Sequence, residues 1–375
     1  MVMALTTILL LCGFFYTGVH YALTFGVFHL SFRPSDKKPF VSVIMAARNE
    51  EKNIDRLLNC LLHQDYTNFE IILINDRSSD RTLEKASEFT GRLPGLKILT
   101  ITQVPADMPA KKNALASGIR EAQGEILCFT DADSFPPPAW LGNMAASFEP
   151  DTGLTAGFSP YEIPSGCKGW KRLFSAFIAY EEFRAGIWAG GSIGCNLGWL
   201  CTGRNLAYRA SVYKEAGGFE SIKRSISGDD DLFLLHVRHT TKWKIHYLPG
   251  SKSHVPTLPP PSFRQFVEQR KRHFSAAQYF TFPMKLFFAA YHFSNLVLLC
   301  SLPALFFVPE YAAIFACCYG LKFLSDALLI GLCSRKFEVK HMIPKFVWME
   351  ILYLLYNVCI GPLGLIFSFD WKASK

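Results

Sequence analysis

The chain has 375 residues, half of them hydrophobic, and 39 Lys and Arg against 31 Asp and Glu give it a net charge of +8. That length holds one sizeable catalytic domain plus extra elements, and the crowding of apolar residues at the two ends argues against a wholly soluble enzyme and for a membrane protein. The basic residues gather between Phe263 and His273 beside an apolar region, so a patch facing anionic lipid is expected and a nucleic-acid partner is not.

Residues 2–30 carry no Lys, Arg, Asp or Glu and are long enough to cross a hydrocarbon core of about 30 Å. The start, Met1-Val2-Met3-Ala4, lacks the basic residues of a cleaved signal peptide, so residues 1–32 are expected to form a transmembrane helix.

From residue 40 the pattern changes to strand-like runs alternating with helix-like stretches, as in a largely parallel sheet with crossover helices. Strands are expected at 40–45, 70–74, 96–100 and 125–130. Each ends in polar residues, and ligands of open α/β sheets sit beyond the carboxyl ends of strands. After the first strand come Ala47, Arg48, Asn49, Glu50 and Glu51, then Ile54, Leu57, Leu58, Leu61 and Leu62 at helical spacing. After the second comes Asp76, suited to ribose hydroxyls or a base edge, and Asp80, suited to capping a helix. The fourth ends in Asp131-Ala132-Asp133; two carboxylates two residues apart in extended chain point the same way and can share a divalent cation.

Residues 166–188 interleave Trp170, Leu173, Phe174, Phe177, Ile178 and Phe183 with Lys171, Arg172 and Arg184. A helix lying on the bilayer surface and admitting a lipid acceptor is one reading; an ordinary helix packed on the sheet is the other. Asp229, Asp230 and Asp231 precede an apolar helix-like run. The helix dipole accounts for one or two of these carboxylates, leaving one to take a proton from an acceptor hydroxyl.

Residues 282–369 split at Pro309-Glu310 and again between Arg335 and Lys345 into about three further helices. Arg335, Lys336, Lys340 and Lys345 place their connection in the cytoplasm and the Pro309-Glu310 corner outside. The tail 371–375 then falls outside, against the preference of its two lysines, so a re-entrant C-terminal segment is the alternative. Lys322 and Asp326, four apart, are expected to pair inside the bundle, with an acceptor path as the alternative. Of 11 cysteines none forms a CxxC pair, so neither a zinc site nor a disulfide framework is expected, in keeping with a reducing cytosol.

Taken in order, Ala47-Arg48-Asn49-Glu50, Asn75-Asp76, Lys111-Lys112-Asn113-Ala114-Leu115, Asp131-Ala132-Asp133, Thr202-Gly203-Arg204-Asn205-Leu206-Ala207-Tyr208, Gly228-Asp229-Asp230 and Gln269-Arg270-Lys271-Arg272 resemble the family-2 glycosyltransferases. The resemblance runs from about residue 40 to residue 273, and the flanking apolar segments resemble the family's membrane-bound branch of polysaccharide synthases and lipid-glycosylating enzymes. It implies an α/β GT-A fold with a mixed, mainly parallel sheet. It implies inverting transfer from a nucleotide-diphosphate sugar, a UDP-sugar by default, to a lipid-linked or polysaccharide acceptor, with Mg2+ or Mn2+. Donor binding would fall to Ala47, Asn49, Glu50, Asp76, Asp131 and one of Lys111 and Lys112, and metal binding to Asp131 and Asp133. Thr202, Gly203, Arg204, Asn205, Gln269, Arg272 and His273 would line the acceptor side. The pair Asp229-Asp230 would supply the base, with Asp230 favoured and Asp231 capping the helix.

His273 stands where the family's element has Trp, and its smaller face with a polar edge argues against processive polymerisation. The expected organisation is a transmembrane helix at 1–32, a catalytic domain at 38–255, an interfacial segment at 256–281 and about three transmembrane helices at 282–375. The whole would be an integral protein of the inner or plasma membrane with its catalytic domain in the cytoplasm. Two other classes compete: a nucleotidyltransferase making a sugar donor, and a membrane scaffold or transporter carrying an inactive transferase domain. No Gly-rich phosphate loop opens the first strand's turn, which disfavours the former, and the retained Asp131, Asp133, Asp229 and Asp230 disfavour the latter.

Overall fold

A computed structural model describes residues 2–31, 33–164, 166–303, 312–361 and 363. The strands are β1 (Val41–Ala47), β2 (Phe69–Asp76), β3 (Leu96–Ile101), β4 (Ile126–Phe129), β5 (Thr152–Gly157), β6 (Leu206–Arg209) and β7 (Lys244–Leu248). The first six helices are α1 (Val2–His29), α2 (Ile54–Leu62), α3 (Thr82–Ser87), α4 (Ala110–Glu121), α5 (Trp140–Ala146) and α6 (Gly169–Gly194). Then follow α7 (Ala210–Glu215), α8 (Asp231–Thr240), α9 (Phe263–Ser275), α10 (Phe282–Ser301), α11 (Ala312–Lys336) and α12 (Phe346–Cys359).

The sheet has seven strands in the order β3-β2-β1-β4-β6-β5-β7. β1 pairs in parallel with β2 and β4, and β2 with β3; β6 runs antiparallel to β4 and β5, and β7 returns parallel to β5. The sheet is therefore mixed and mainly parallel. All four expected strands form within a residue or two of the expected limits. β5, β6 and β7 escape the sequence pattern because they are short and weakly apolar: β5 reads Thr-Gly-Leu-Thr-Ala-Gly, and only burial of its threonines marks it as interior.

Alternate residues of β1 and β2 face opposite cores. Val41, Val43 and Met45 pack with Leu57, Leu61 and Trp140 beneath α2 and α5. Ile44, Ile72 and Ile74 face the other way, toward α4 and α8, and that core runs on without a break into the long apolar helices. Four helices, Met3–His29, Phe282–Ser301, Ala312–Lys336 and Lys340–Cys359, are long and apolar enough to cross a membrane. The Pro309-Glu310 corner and the tail 371–375 lie outside the described residues.

α6 joins the two regions. It does not lie on a surface: from Ser175 to Ile193 nearly every side chain is buried, and only the first turns, with Trp170 and Leu173, face out. The reason is backbone contact with α1. A Cβ on Gly26 would sit 2.0 Å from the Gly191 carbonyl oxygen, and one on Gly194 would sit 1.9 Å from that of Gly26, so only glycines permit this crossing. Deeper in the bundle Lys322 and Asp326 do pair, at 2.5 Å, and three further helices join them. His20 Nδ1 of α1 lies 2.7 Å from Asp326, Arg184 of α6 lies 2.7 Å from Glu350 of α12, and Lys322 reaches Glu350 at 3.7 Å.

Candidate active site

At the carboxyl ends of β1 and β2 two loops are stitched together. Asn49 adopts φ 56°, and its side-chain oxygen accepts the Ser79 N–H at 2.9 Å while its own N–H donates to Ser78 Oγ at 3.1 Å. Asn tolerates this left-handed conformation better than most side chains. The Glu50 N–H donates to Thr82 Oγ1 at 2.7 Å, and Asp76, nearly buried, accepts from Arg77 Nε at 2.8 Å. Ala47, Asn49, Glu50 and Asp76 are thus brought together at the strand ends.

The adjacent lysines of α4 separate by about 100° around the helix and meet different fates. Lys111 bridges Asp131 at 3.1 Å and Asp229 at 3.3 Å. Burial alone would lower its pKa, but Asp131, Asp229 and Asp230 outweigh that and raise it. Lys112 points into the core and donates to the carbonyls of Ile222, Ser225 and Ser227 at 2.8, 2.5 and 2.9 Å. Burial pulls its pKa down to about 8. Of the two, Lys111 lines the cavity, and Lys112 is an internal tether.

Asp131 and Asp133 do not lie in extended chain. The Ser134 N–H donates to the Asp131 carbonyl at 3.1 Å, closing a turn, and Thr257 Oγ1 donates to the Asp133 carbonyl oxygen at 3.2 Å. The two carboxylates still feel one another. Burial and Asp131 raise the pKa of Asp133, whereas Lys111 and Arg204 overcome burial to lower that of Asp131. Two oxygen-donor side chains in mutual repulsion fit a hard divalent cation. No group of three or more His, Cys, Asp or Glu side chains comes together among the described residues, so a ligand would have to complete the coordination.

The three acids before α8 divide the work differently from the expectation. Asp230, not Asp231, is the N-cap: its Oδ1 accepts the Asp231 N–H at 2.8 Å and its Oδ2 the Gly203 N–H at 2.9 Å. Asp231 accepts the Cys201 N–H at 2.8 Å, tying the loop before β6 to the helix start. Burial and the neighbouring Asp229 raise the pKa of Asp230.

Thr202, Gly203, Arg204, Arg272 and His273 share a cavity of about 690 Å³ with Lys111, Asp131, Asp229 and Asp230. Asn205 and Gln269 do not line it. Asn205 is fully buried, accepting from Trp140 Nε1 at 3.0 Å and donating to the carbonyls of Phe158 and Ser253, both at 2.8 Å, and Gln269 accepts from the Tyr161 hydroxyl at 3.1 Å. Both are internal struts. His273 places Nδ1 3.2 Å from Arg270 and Nε2 3.2 Å from Arg272. Burial and those two guanidiniums hold its pKa well below the ordinary value, so it is neutral near pH 7.

Sequence reasoning missed Glu181 and Glu182 of α6. Glu182 pairs with Arg204 and, at 3.2 Å, with Arg270; Glu181 pairs with Arg270 and accepts from the Tyr356 hydroxyl at 2.9 Å. Burial pushes the Glu181 pKa up to about 7 despite Arg270. The signal was two adjacent carboxylates inside an aromatic-rich helical run, where acids persist only if paired.

Residues 42–215 match the model of the glycosyl transferase family 2. The chain is 28% identical over 204 residues to the probable glycosyltransferase YdaM of Bacillus subtilis, covering 52% of this chain and 46% of that protein. It is 33% identical over 216 residues to a beta-monoglucosyldiacylglycerol synthase of Trichormus variabilis, covering 56% and 43%. The chain therefore spans less than half the length of either relative. Among solved structures, a mannosyltransferase from Pyrobaculum calidifontis in complex with GDP-Man and Mn2+ superposes with a TM-score of 0.55 at 18% identity, covering 89% of this chain and 98% of that one, a likeness of fold.

Proposed function

From the premise that this chain carries a glycosyl transferase family 2 domain on a GT-A fold, we propose that it is an inverting glycosyltransferase acting at the cytoplasmic face of a membrane. It moves a sugar from a nucleotide-diphosphate donor, a UDP-sugar by default, to a lipid-linked or glycan acceptor. The observation that carries this reading is the single cavity joining Lys111, Asp131, Asp229 and Asp230 to the apolar helices.

The loops after β1 and β2, with Asn49 and Asp76, hold the nucleoside. Asp131 and Asp133 would hold Mg2+ or Mn2+, which offsets charge on the departing diphosphate. Lys111 adds a fixed positive charge beside Asp131. Asp230 takes the acceptor's proton as the acceptor oxygen bonds to the anomeric carbon and the bond from that carbon to the diphosphate breaks. Its two backbone N–H contacts fix its direction, and each oxygen keeps a second lone pair for the incoming hydroxyl. Asp229, tied to Lys111, holds that lysine in place.

Membrane placement rests on the four apolar helices and on Arg335, Lys336, Lys340 and Lys345, whose connection belongs in the cytoplasm. The same reading keeps the division into segments 1–32, 38–255, 256–281 and 282–375. The test is a panel of nucleotide sugars added to the detergent-purified chain, with thermal unfolding followed with and without Mn2+. One donor should raise the unfolding temperature only when Mn2+ is present and should yield free nucleoside diphosphate. Release of pyrophosphate from a sugar phosphate and a nucleoside triphosphate would replace this reading with nucleotidyl transfer.

A further inference from the structure

The cavity has two chemically different ends. One holds the carboxylates; the other is a wall of small and aromatic side chains, Ala185 and Ala189 of α6, Phe288 and Ala289 of α10, Phe280 and Tyr356. From Glu181 to Ala189 that wall runs along about 12 Å of α6 at 1.5 Å per residue. Near Gly361 the packing is tight: a Cβ there would come within 2.7 Å of the His292 ring, and His292 Nδ1 lies 3.3 Å from the Asn357 carbonyl. Lys285 and Ala289 of α10 both line the cavity and are both exposed, and both fall inside the candidate membrane span Phe282–Ser301.

The carboxylates and the tyrosine hydroxyl along this arm are already committed, while Gln278 and Lys285 line the cavity as well. The Tyr356 hydroxyl donates to Glu181, and Glu181 and Glu182 are taken up by Arg270 and Arg204. A glycan chain lying against Ala185, Ala189, Phe288 and Ala289 would bury hydroxyls on apolar surface, at a cost for each one left without a partner, whereas a hydrocarbon chain there loses nothing and leaves water. Lys285, in the first turn of α10, sits at the depth where a long side chain reaches the interface while its stem covers apolar surface.

We propose that Lys285 and Ala289 flank a lateral portal through which a hydroxyl-bearing membrane lipid enters, its hydrocarbon chain resting against Ala185, Ala189, Phe288 and Ala289 and its hydroxyl reaching Asp230. This rests on the glycosyltransfer reading and narrows its acceptor to a lipid alcohol. Small side chains at 185, 189 and 289 then set which chain fits: a slender one passes, and added bulk blocks it.

The experiment uses the full chain in detergent and a long-chain primary alcohol carrying a photoactivatable diazirine along its chain. Irradiation should label the segments 185–189 and 285–292. Ala289→Trp should cut that labelling about tenfold or more, and Ala185→Leu should cut it without touching the portal. Leu286→Trp, on the same helix but outside the cavity, should leave it unchanged. Donor-dependent thermal shift should be the same in all four proteins. Labelling spread over the outer faces of the helices and indifferent to Ala289→Trp and Ala185→Leu overturns the portal, as does competition for the label by a soluble oligosaccharide. Absence of any donor-dependent shift in the unaltered chain counts against glycosyl transfer instead, because photolabelling needs no donor.

Discussion

Two clusters of charge use the same residue types to opposite effect. In the helix bundle Arg184 and Lys322 face Asp326 and Glu350, all less than a tenth exposed, and each cation has an anion within 2.7 Å. Two positive and two negative charges close on themselves, with neutral-capable His20 and Tyr16 filling the remaining positions on Asp326. At the carboxyl end of the sheet one ammonium, Lys111, bridges Asp131 and Asp229, while burial and a like-charged neighbour raise the pKa values of Asp133 and Asp230. A cluster that balances internally holds helices together; one that keeps an excess of negative charge is what the proposed cation and proton transfer require. Arg184 belongs to the first, and Glu181 and Glu182, three and two residues earlier, pair with Arg270 and Arg204 beside the second.

The largest way to break this contrast is Asp230→Asn. Loss of a positioned general base should lower turnover by about 10²–10⁴-fold, while donor-dependent thermal shift stays intact, since donor binding is assigned elsewhere. Should Asp230→Asn turn over normally and Asp229→Asn be dead, the base is Asp229. Asp133→Ala should instead remove the Mn2+-dependent part of the thermal shift, and turnover with it.

Next comes the closed cluster. Arg184→Met leaves buried Glu350 with only Lys322, at 3.7 Å, as a partner cation and should cost about 3–5 kcal/mol of stability, read by unfolding in detergent, with turnover per folded molecule unchanged. Arg184→Met combined with Glu350→Met should recover much of that loss, because the two remaining charges, Lys322 and Asp326, still pair. Equal damage in the single and double variants would mean that the pair is not what holds the bundle.

The two lysines of α4 sharpen the same contrast at one residue's distance. Lys112→Met strands three carbonyl acceptors and should lower stability by about 1–3 kcal/mol while leaving donor affinity alone. Lys111→Met should weaken donor binding and turnover with little effect on unfolding.

The smallest effect is on pH dependence. A general base must be ionised, so kcat/KM should fall as pH drops through the Asp230 pKa, which burial and Asp229 hold above the ordinary carboxylate value. Removing the neighbouring charge lowers that pKa, so in Asp229→Asn the acid limb should move to lower pH. A limb that stays in place would show that Asp230 does not control it.

Legibility varied by residue. The strands at 40–45 and 70–74 could be read because a parallel strand buried on both faces is a continuous apolar run. Asp131, Asp229 and Asp230 could be found because acids at strand ends or before a helix stand out against apolar surroundings. Asn205 and Gln269 were legible as motif members but not as struts, since a side chain's direction depends on neighbours far away in the chain. The turn at Asp131 and the cap at Asp230 likewise depended on Ser134 and Gly203 donating where they do.

By itself the sequence determined the α/β core, the apolar segments at both ends and the order of acidic motifs, because periodicity, composition and spacing are local properties of the chain. Tertiary structure alone decided that Lys111 rather than Lys112 faces the acids, that α6 is buried against α1, and that one cavity runs from Asp230 to Ala289. Each of those depends on groups from distant segments meeting in space: a 100° step around one helix, a backbone contact between Gly26 and Gly191, a gap enclosed by three helices. No local pattern records them, since the residues that decide them lie tens to hundreds of positions apart.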